Sequence, residues 1–251
     1  MEVRVGDGAV RITAPTRAGL LAEIDRRLAA REGFAVATLN LDHLVKLRAD
    51  PGFRRAYAAQ DLVTADGNPV VWLSRLAGRP VELVTGADLL LPALRLAAGR
   101  GAPVGFLGST AEALEAAAAA LRGEVQGLDV RERIAPPMDL DPEGAEAEAA
   151  LDRMAASGVR LVLLALGAPR QERLAAVGRG RHPSMGFLSI GAGLDFWAGT
   201  QRRAPPLVRR LALEWLWRAA GNPRRLGGRY LRCAAILPGL AVEAARSRGR
   251  G

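Results

Sequence analysis

The chain has 251 residues, of which 49% are hydrophobic and 24% charged, and its formal net charge is +9. This apolar content can bury a sizeable core, so the composition excludes intrinsic disorder, and the single cysteine, Cys233, excludes a disulfide framework. The length favours one large domain, or one domain with an appendage, over a tandem array.

Short apolar runs alternate with longer stretches of helical period, which predicts an α/β fold with a Rossmann-like, mostly parallel sheet flanked by helices. The predicted strands cover residues 34–39, 61–65, 81–85, 103–107, 127–131, 159–166 and 186–190. The predicted helices cover residues 18–30, 69–77, 87–99, 110–122, 143–157 and 170–178. We expect a core domain at residues 1–203 and a basic helical appendage at residues 204–251, whose second helix ends at Pro238.

The excess positive charge lies in this appendage. Residues 201–251 hold twelve arginines and two glutamates, a net charge of +10, whereas residues 1–200 hold 23 basic and 24 acidic residues. Such a segment binds nucleic acid, an anionic membrane surface or substrate phosphates, or is simply solvated. Trp215, Trp217 and several leucines accompany the arginines, which suits a helix at a lipid interface or one packed against the core.

No apolar run is long enough for a transmembrane helix. The longest runs, residues 161–168 and 233–242, fall short of the about 20 residues that cross a bilayer. The N-terminus lacks the unbroken apolar run of a secretory signal. We therefore expect a cytoplasmic protein that contacts the inner face of the cell membrane peripherally.

Polar residues and glycines recur where the predicted strands end, which is the edge at which such sheets bind ligands. In chain order they are Thr38, Asn40, Asp42, Asp66, Gly67, Asn68, Thr85, Gly86, Asp88, Gly108, Ser109, Thr110, Gly167, Pro169, Arg170, Gln171, Glu172, Gly191, Gly193 and Asp195. A glycine before a helix either exposes backbone N–H groups to a phosphate or only makes a tight turn, and both interpretations stay open.

The common cofactor and metal motifs are missing. The sequence has no GxGxxG at the first strand–helix turn, no GxxxxGK[ST] and no GxSxG, which argues against dinucleotide, ATP and serine-hydrolase sites. Asp139 and Asp141 could hold a metal that bridges a diphosphate, but Asp141 before Pro142 fits better as a helix N-cap. His43 and His182 have no other histidine or cysteine near them in the sequence, so no metal site is predicted.

Five segments carry a resemblance to a known family: TLNLDHL (38–44), ADGNPVVWLSRLAG (65–78), LVTGADL (83–89), LGAPRQE (166–172), and GAGLDFWAGTQRRAP (191–205) running into LALEWLWRAAGNPRRLGGRY (211–230). With them, the chain from about residue 33 to 232 resembles the WecG/TagA/CpsF family of bacterial glycosyltransferases. The resemblance implies a GT-E-type core and an inverting hexosyltransferase. The enzyme would move a sugar, of the N-acetylmannosamine type or another hexose, from a UDP-sugar to a polyprenyl-diphosphate-linked acceptor.

The resemblance further implies a role in cell-surface or exopolysaccharide biosynthesis. It implies a C-terminal appendage that docks on the anionic cytoplasmic membrane surface and completes the active site. No cofactor is expected, because the UDP-sugar is a substrate, and no metal is expected to be required.

The resemblance also assigns roles to single residues. Asp66 matches the proposed catalytic base, Thr38 and Asn40 match residues that line the sugar and base site, and Gln171 matches a glutamine whose preceding lysine is Arg170 here. The other substrate-binding candidates are Gly67, Asn68, Thr85, Gly86 and Gly108, and the diphosphate-binding candidates are Arg170, Arg218, Arg225 and Arg229. Leu83 and Gly228 stand where family members carry arginines.

Other interpretations of the same residues remain open. Asp66 could form an Asx turn or a helix cap, Thr38 and Asn40 could close a strand end, and Gln171 could cap a helix. The alternative functions are a nucleic-acid-binding protein that uses the basic tail and a nucleotide-dependent oxidoreductase. Because the tail is rich in Leu and Trp and the polar motifs at the sheet edge would stay unexplained, we predict no nucleic-acid partner. The oxidoreductase would need a dinucleotide fingerprint, which the sequence lacks. Assembly into a homo-oligomer through the core is a further hypothesis.

Overall fold

The computed structural model describes residues 1–205, 208, 214, 217 and 223–248. A hairpin formed by β1 (Glu2–Val5) and β2 (Gly8–Arg11) comes first. The main sheet contains β3 (Phe34–Leu39), β4 (Leu62–Ala65), β5 (Val104–Gly108), β6 (Val130–Ile134), β7 (Leu161–Ala165) and β8 (Gly186–Ser189). The helices are α1 (Arg17–Ala30), α2 (Leu41–Ala49), α3 (Pro51–Ala58), α4 (Asn68–Leu76), α5 (Gly86–Gly99), α6 (Ala111–Glu124), α7 (Ala145–Ala156), α8 (Arg170–Arg181), α9 (Gly193–Trp197) and α10 (Pro223–Arg248).

The main sheet confirms the predicted Rossmann-like α/β class. Among the described residues, six parallel strands pair in the order β4-β3-β8-β7-β5-β6. Every residue of β3 and of β8 is buried, as expected for central parallel strands covered on both faces. The chain leaves β5 and β7 in opposite directions, so a topological switch point lies between them.

Successive residues of a central strand supply the cores on the two faces of the sheet. In β7, Leu161 and Leu163 pack in one apolar cluster with α1, α5 and α6, whereas Val162 and Leu164 pack in another with α7 and α8. This alternation follows from the two-residue period of a β-strand. The uninterrupted run of Leu and Val that predicted this strand is therefore explained by burial on both sides.

Short polar side chains start several helices. The side chains of Thr16, Asn40, Asp50, Thr85 and Thr110 each accept a hydrogen bond from the backbone N–H three residues later. Such caps satisfy N–H groups that the helix itself leaves unpaired. Asn40 and Asp50 begin α2 and α3, two helices that the sequence analysis did not predict.

Two predicted strands differ from the structure, and further elements were not predicted. Residues 81–85 are not a strand: the Glu82 N–H bonds to Pro15, and only an isolated parallel bridge joins Leu83 to Ala65. The strand predicted at 127–131 lies at Val130–Ile134, because Gly127 has a φ of +76° and belongs to the preceding turn. The hairpin of β1 and β2 and the short helix α9 were not predicted.

The prediction that Pro238 ends a helix is wrong. Pro238 lies inside α10, on the exposed side of the helix. The opposite side carries the buried residues Leu226, Cys233, Leu240 and Ala244, which recur at helical spacing. Leu240 and Ala244 join the cluster that contains Val3 and Leu73, so burial of this face holds the helix together through the proline.

Within the described residues, no helix has both the length and the apolar content that crossing a bilayer requires. The boundary between residues 203 and 204 stays a prediction. Trp215 lies outside the described residues, and the side chain of Trp217 is exposed.

Candidate active site

The carboxyl ends of β3 and β4 place Thr38 beside Asp66. Thr38 is paired with Thr64 across the two parallel strands, and the Asp66 N–H donates to the Leu39 carbonyl at 2.8 Å. The Thr38 hydroxyl then donates to Asp66 Oδ2 at 3.3 Å. Thr38 is buried, whereas Asp66 is partly exposed, so the carboxylate is oriented from below and reachable from solvent.

Asn40 and Gly67 shape the two turns that flank Asp66. Asn40 Oδ1 accepts the His43 N–H at 3.0 Å, which makes Asn40 the N-cap of α2. Gly67 has a φ of +109° and starts α4 without a side-chain cap, a backbone conformation that favours glycine. Asn68, the first residue of α4, is partly buried.

The start of α5 lies against the same edge. The Val84 N–H donates to the Ala65 carbonyl at 2.8 Å, and Thr85 Oγ1 caps α5 by accepting the Asp88 N–H at 3.1 Å. A Cβ on Gly86 would come within 2.8 Å of Ile190 Cα and 2.9 Å of the Ser189 carbonyl oxygen. Glycine at this position therefore lets the N-terminus of α5 lie directly over the end of β8.

A buried polar chain supports Thr38 from beneath. The Tyr57 hydroxyl donates to the Thr38 carbonyl at 3.1 Å and lies 2.7 Å from His43 Nδ1. Since a phenol has one proton, His43 Nδ1 carries the hydrogen of the second bond. Burial lowers the pKa of His43 to about 3, with the nearby Lys46 charge adding to the effect, and burial raises the pKa of Tyr57. Both groups are therefore neutral supports of the site.

Gln171 is part of a second buried network. Its Oε1 accepts the Gly191 N–H at 3.1 Å, and its Nε2 donates to Glu172 Oε1 at 2.7 Å. The residue is 2% exposed, so it ties α8 to the turn after β8, and its predicted contact with substrate stays a prediction. Burial raises the pKa of the fully buried Glu172 to about 7.

The switch point between β5 and β7 is tightly packed. A Cβ on Gly108, whose φ is +124°, would lie 2.4 Å from the Ala165 carbonyl oxygen. The hydroxyl of Ser109, which has a φ of +54°, donates to Asp195 Oδ1 at 2.5 Å. Asp195 Oδ2 accepts Gln201 Nε2 at 2.9 Å, so α9 and the segment after it are fixed to the edge.

Two of the predicted diphosphate-binding arginines bond to protein groups. Arg170 donates to the carbonyls of Met138 at 2.5 Å and Leu166 at 3.2 Å, which ties together the loops after β6 and β7. Arg229 Nε lies 3.1 Å from Oδ1 of the buried Asp42, which also pairs with Lys46 at 2.8 Å. Arg218 and the side chain of Arg225 lie outside the described residues.

Arg203, which was not among the predicted site residues, also lies at this edge. Arg203 Nη1 lies 2.7 Å from Asp88 Oδ1, and Nη2 donates to Thr85 Oγ1 at 3.5 Å. Burial lowers the pKa of its guanidinium, but the bond to Asp88 and the charges of Glu214 and Asp66 raise it overall. The sequence reads QRR at 201–203, and nothing in it indicates which of the two arginines turns inward.

Asp141 does not cap a helix as predicted. Helix α7 begins at Ala145 with Gly144 as its N-cap, and Asp141 Oδ1 instead accepts the Glu143 N–H at 3.0 Å. Over the part of the chain that the structure describes, no three His, Cys, Asp or Glu side chains cluster as a metal site would require.

The class of this protein follows from a comparison of its sequence with known families. The model of the Glycosyl transferase WecG/TagA/CpsF family matches residues 7–250, nearly the whole chain. The chain belongs to this family. It is therefore a glycosyltransferase, which confirms the predicted enzyme class and the resemblance stated from the sequence.

For a glycosyltransferase, the structure brings most of the predicted site residues to one half of the sheet edge. Thr38, Asn40, Asp66, Gly67, Asn68, Thr85 and Gly86 surround the ends of β3 and β4, with Gln171 behind them. Gly108 lies farther along, across β7 and β8. The residues that the sequence did not select are Arg203 and the buried pair Tyr57 and His43, which become visible only once the chain is folded.

Proposed function

We propose that this glycosyltransferase moves a sugar from a UDP-sugar to a polyprenyl-diphosphate-linked acceptor with inversion at the anomeric carbon. The sugar is of the N-acetylmannosamine type or another hexose, and the product belongs to cell-surface or exopolysaccharide biosynthesis. The observation that carries the proposal is the partly exposed Asp66 carboxylate, oriented by the Thr38 hydroxyl at 3.3 Å beside the N-terminus of α5.

In this reaction Asp66 acts as the general base. Its carboxylate takes the proton of the acceptor hydroxyl while that oxygen attacks the anomeric carbon from the face opposite UDP. The bond between the anomeric carbon and the donor phosphate oxygen breaks, and UDP leaves with the bonding electron pair. Because attack and departure occur on opposite faces, the configuration inverts. The Thr38 hydroxyl keeps one carboxylate oxygen in place during the transfer.

Charge on the departing diphosphate is neutralised by cations and helix N-termini in this proposal. We assign this charge to Arg218, Arg225 and Arg229, of which Arg229 is paired with Asp42 at 3.1 Å. Preorganised positive charge of this kind is usually the largest single contribution to catalysis.

The C-terminal region supports a reaction at a lipid surface. Residues 201–251 carry a net charge of +10, which attracts anionic headgroups. The outer face of α10 exposes Leu231 by 73% and Val242 by 52%, opposite the face that packs on the core. We propose that this face lies against the cytoplasmic side of the membrane, where the lipid-linked acceptor is found.

The test is release of UDP from a panel of UDP-sugars in the presence of a bacterial lipid extract. We expect Asp66→Asn to lower the turnover rate by roughly 10²- to 10⁴-fold, the range that a general base supplies, with UDP affinity nearly unchanged. Asp139→Asn is the matched control, because Asp139 is an exposed aspartate on another loop at the carboxyl edge of the sheet. An Asp66→Asn enzyme with wild-type turnover would contradict the assignment of the base.

A further inference from the structure

Arg203 is fixed to the active-site edge by two side chains of α5. Its Nη1 lies 2.7 Å from Asp88 Oδ1, and its Nη2 donates to Thr85 Oγ1 at 3.5 Å. The guanidinium carbon also lies 5.9 Å from the centre of the Phe196 ring. These contacts hold Arg203, which follows α9 in the chain, at the first turn of α5.

The contacts leave N–H groups of the guanidinium without a protein acceptor, and 25% of the Arg203 side chain is exposed. An arginine has five N–H donors, and the bonds to Asp88 and Thr85 use two of them. Nε is buried and has no hydrogen-bond partner among the described residues. Because a buried donor without an acceptor is costly, an anion that reaches this side of Arg203 would gain a charge-assisted bond that the protein itself does not make.

The surroundings favour an anion at this place. Thr85 begins the 14-residue helix α5, whose N-terminus carries the positive end of the helix dipole. Asp88 Oδ1 lies 2.7 Å from Arg203 Nη1, so this carboxylate positions the guanidinium at the helix terminus.

Leu83 contributes an apolar side chain to this part of the edge. Its side chain is 41% exposed, and its backbone forms the parallel bridge with Ala65, the residue before Asp66. The segment at 81–85 therefore presents an apolar side chain next to the base, and the charge comes from Arg203 instead.

We propose that Arg203 binds a diphosphate at the active-site edge, with Asp88 and Thr85 as the residues that position it. The inference rests on the proposed function, because it requires a diphosphate substrate. That diphosphate belongs either to the UDP of the donor or to the lipid-linked acceptor, and the experiment distinguishes the two.

The experiment compares Arg203→Gln with Arg202→Gln in the full chain. Arg202 is the neighbouring arginine and its side chain is exposed, which makes it a matched control. UDP binding is measured by calorimetry without acceptor, and KM for a lipid-extract acceptor is measured separately. If Arg203 contacts the UDP of the sugar donor, we expect Arg203→Gln to weaken UDP binding roughly tenfold or more, while Arg202→Gln has no effect. If Arg203 contacts the lipid-linked acceptor instead, we expect Arg203→Gln to leave UDP affinity unchanged and to raise the acceptor KM roughly tenfold or more.

A second variant separates ligand binding from a structural role. Leu83→Arg in the Arg203→Gln background introduces a guanidinium beside Ala65, and we expect it to restore most of the lost affinity. Arg203→Lys, which keeps the charge but not the planar fork, should show an intermediate loss at an unchanged Tm. The proposal is overturned if Arg203→Gln leaves both UDP binding and the acceptor KM unchanged. It is also overturned if the loss follows a lower Tm and Leu83→Arg does not reverse it.

The proposed function and this inference fail in different ways. If the wild-type chain neither binds UDP nor releases it from any UDP-sugar, the proposed function fails and the role of Arg203 falls with it. If the wild type binds UDP and turns over while Arg203→Gln matches it in both measurements, only the role of Arg203 is rejected.

Discussion

The edge around Asp66 and the contact between α10 and the core are held together in different ways. Beneath the edge, Tyr57, His43 and Glu172 are buried, and their bonds to neighbouring groups are shielded from water. The position of α10 depends instead on an apolar stripe and on arginines that are partly in solvent, such as Arg229 at 34% exposure. Salt and water weaken the partly exposed arginine contacts of α10 far more than the buried hydrogen bonds beneath the edge.

This difference indicates that the chain can vary the position of α10 without disturbing the base. Thr38 orients the Asp66 carboxylate and is itself supported by Tyr57 from inside the core. One link between the two regions is the buried Asp42, which pairs with Lys46 on its own helix and with Arg229 on α10. Substitutions in each region should therefore have separable effects.

The largest effect on stability is expected from a change at the switch point of the sheet. In Gly108→Ala, the new methyl group would lie 2.4 Å from the Ala165 carbonyl oxygen, at a φ of +124° that side chains rarely adopt. Strain and overpacking together should lower the free energy of unfolding by about 4 kcal/mol. Chemical denaturation measures this value.

A second glycine provides the control for Gly108→Ala. Gly123 lies in α6, and a Cβ there would meet no atom within 4 Å. Gly123→Ala should therefore stabilise the protein by about 0.5–1 kcal/mol through helix propensity. Equal effects of the two substitutions would mean that the close approach of β5 to β7 is not rigid.

The next effect is a dependence of stability on pH that arises from Glu172. Burial raises the pKa of this carboxyl from 4.5 in the unfolded chain to about 7 in the folded one. Between these values the folded state binds more protons than the unfolded state, so stability falls as the pH rises from about 4.5 to 7 and then levels off. The shift corresponds to a loss of about 3 kcal/mol.

Glu172→Gln tests this dependence directly. The substituted amide oxygen can still accept the bond from Gln171 Nε2, which is 2.7 Å long in the wild type. We expect the free energy of unfolding of the variant, relative to the wild type, to increase by about 3 kcal/mol between pH 4 and pH 8. Parallel stability curves over this range would show that Glu172 does not carry the pH dependence.

Much of the fold could be predicted because strand burial leaves a direct signal in the sequence. The runs at 34–39 and 159–166 are apolar on both faces, and the structure has strands inside both ranges. The run at 81–85 looks similar, but Glu82 bonds to Pro15 and Thr85 already caps α5, so only one bridge forms. Whether a short apolar run completes a ladder depends on distant residues that its own sequence does not contain.

The site could be predicted only in part for the same reason. The residues after β3 and β4 are local in sequence, so Thr38 and Asp66 follow from the positions of the strand ends. The inward turn of Arg203 depends on Asp88, 115 positions earlier in the chain. The support of Thr38 by Tyr57 and His43 likewise depends on how α2 and α3 pack.

The smallest effect is expected at the docking contact of α10, where Arg229→Gln removes the ion pair with Asp42. Since Arg229 is partly exposed and Lys46 still pairs with Asp42, we expect a loss of about 1 kcal/mol, confined to α10. Amide hydrogen exchange in α10 should then be roughly fivefold faster, while exchange in β3 stays unchanged. Arg232→Gln, an exposed arginine on the same helix, is the control and should change neither rate. Faster exchange in β3 as well would show that α10 and the active-site edge open together, and the contrast between the two regions would then be wrong.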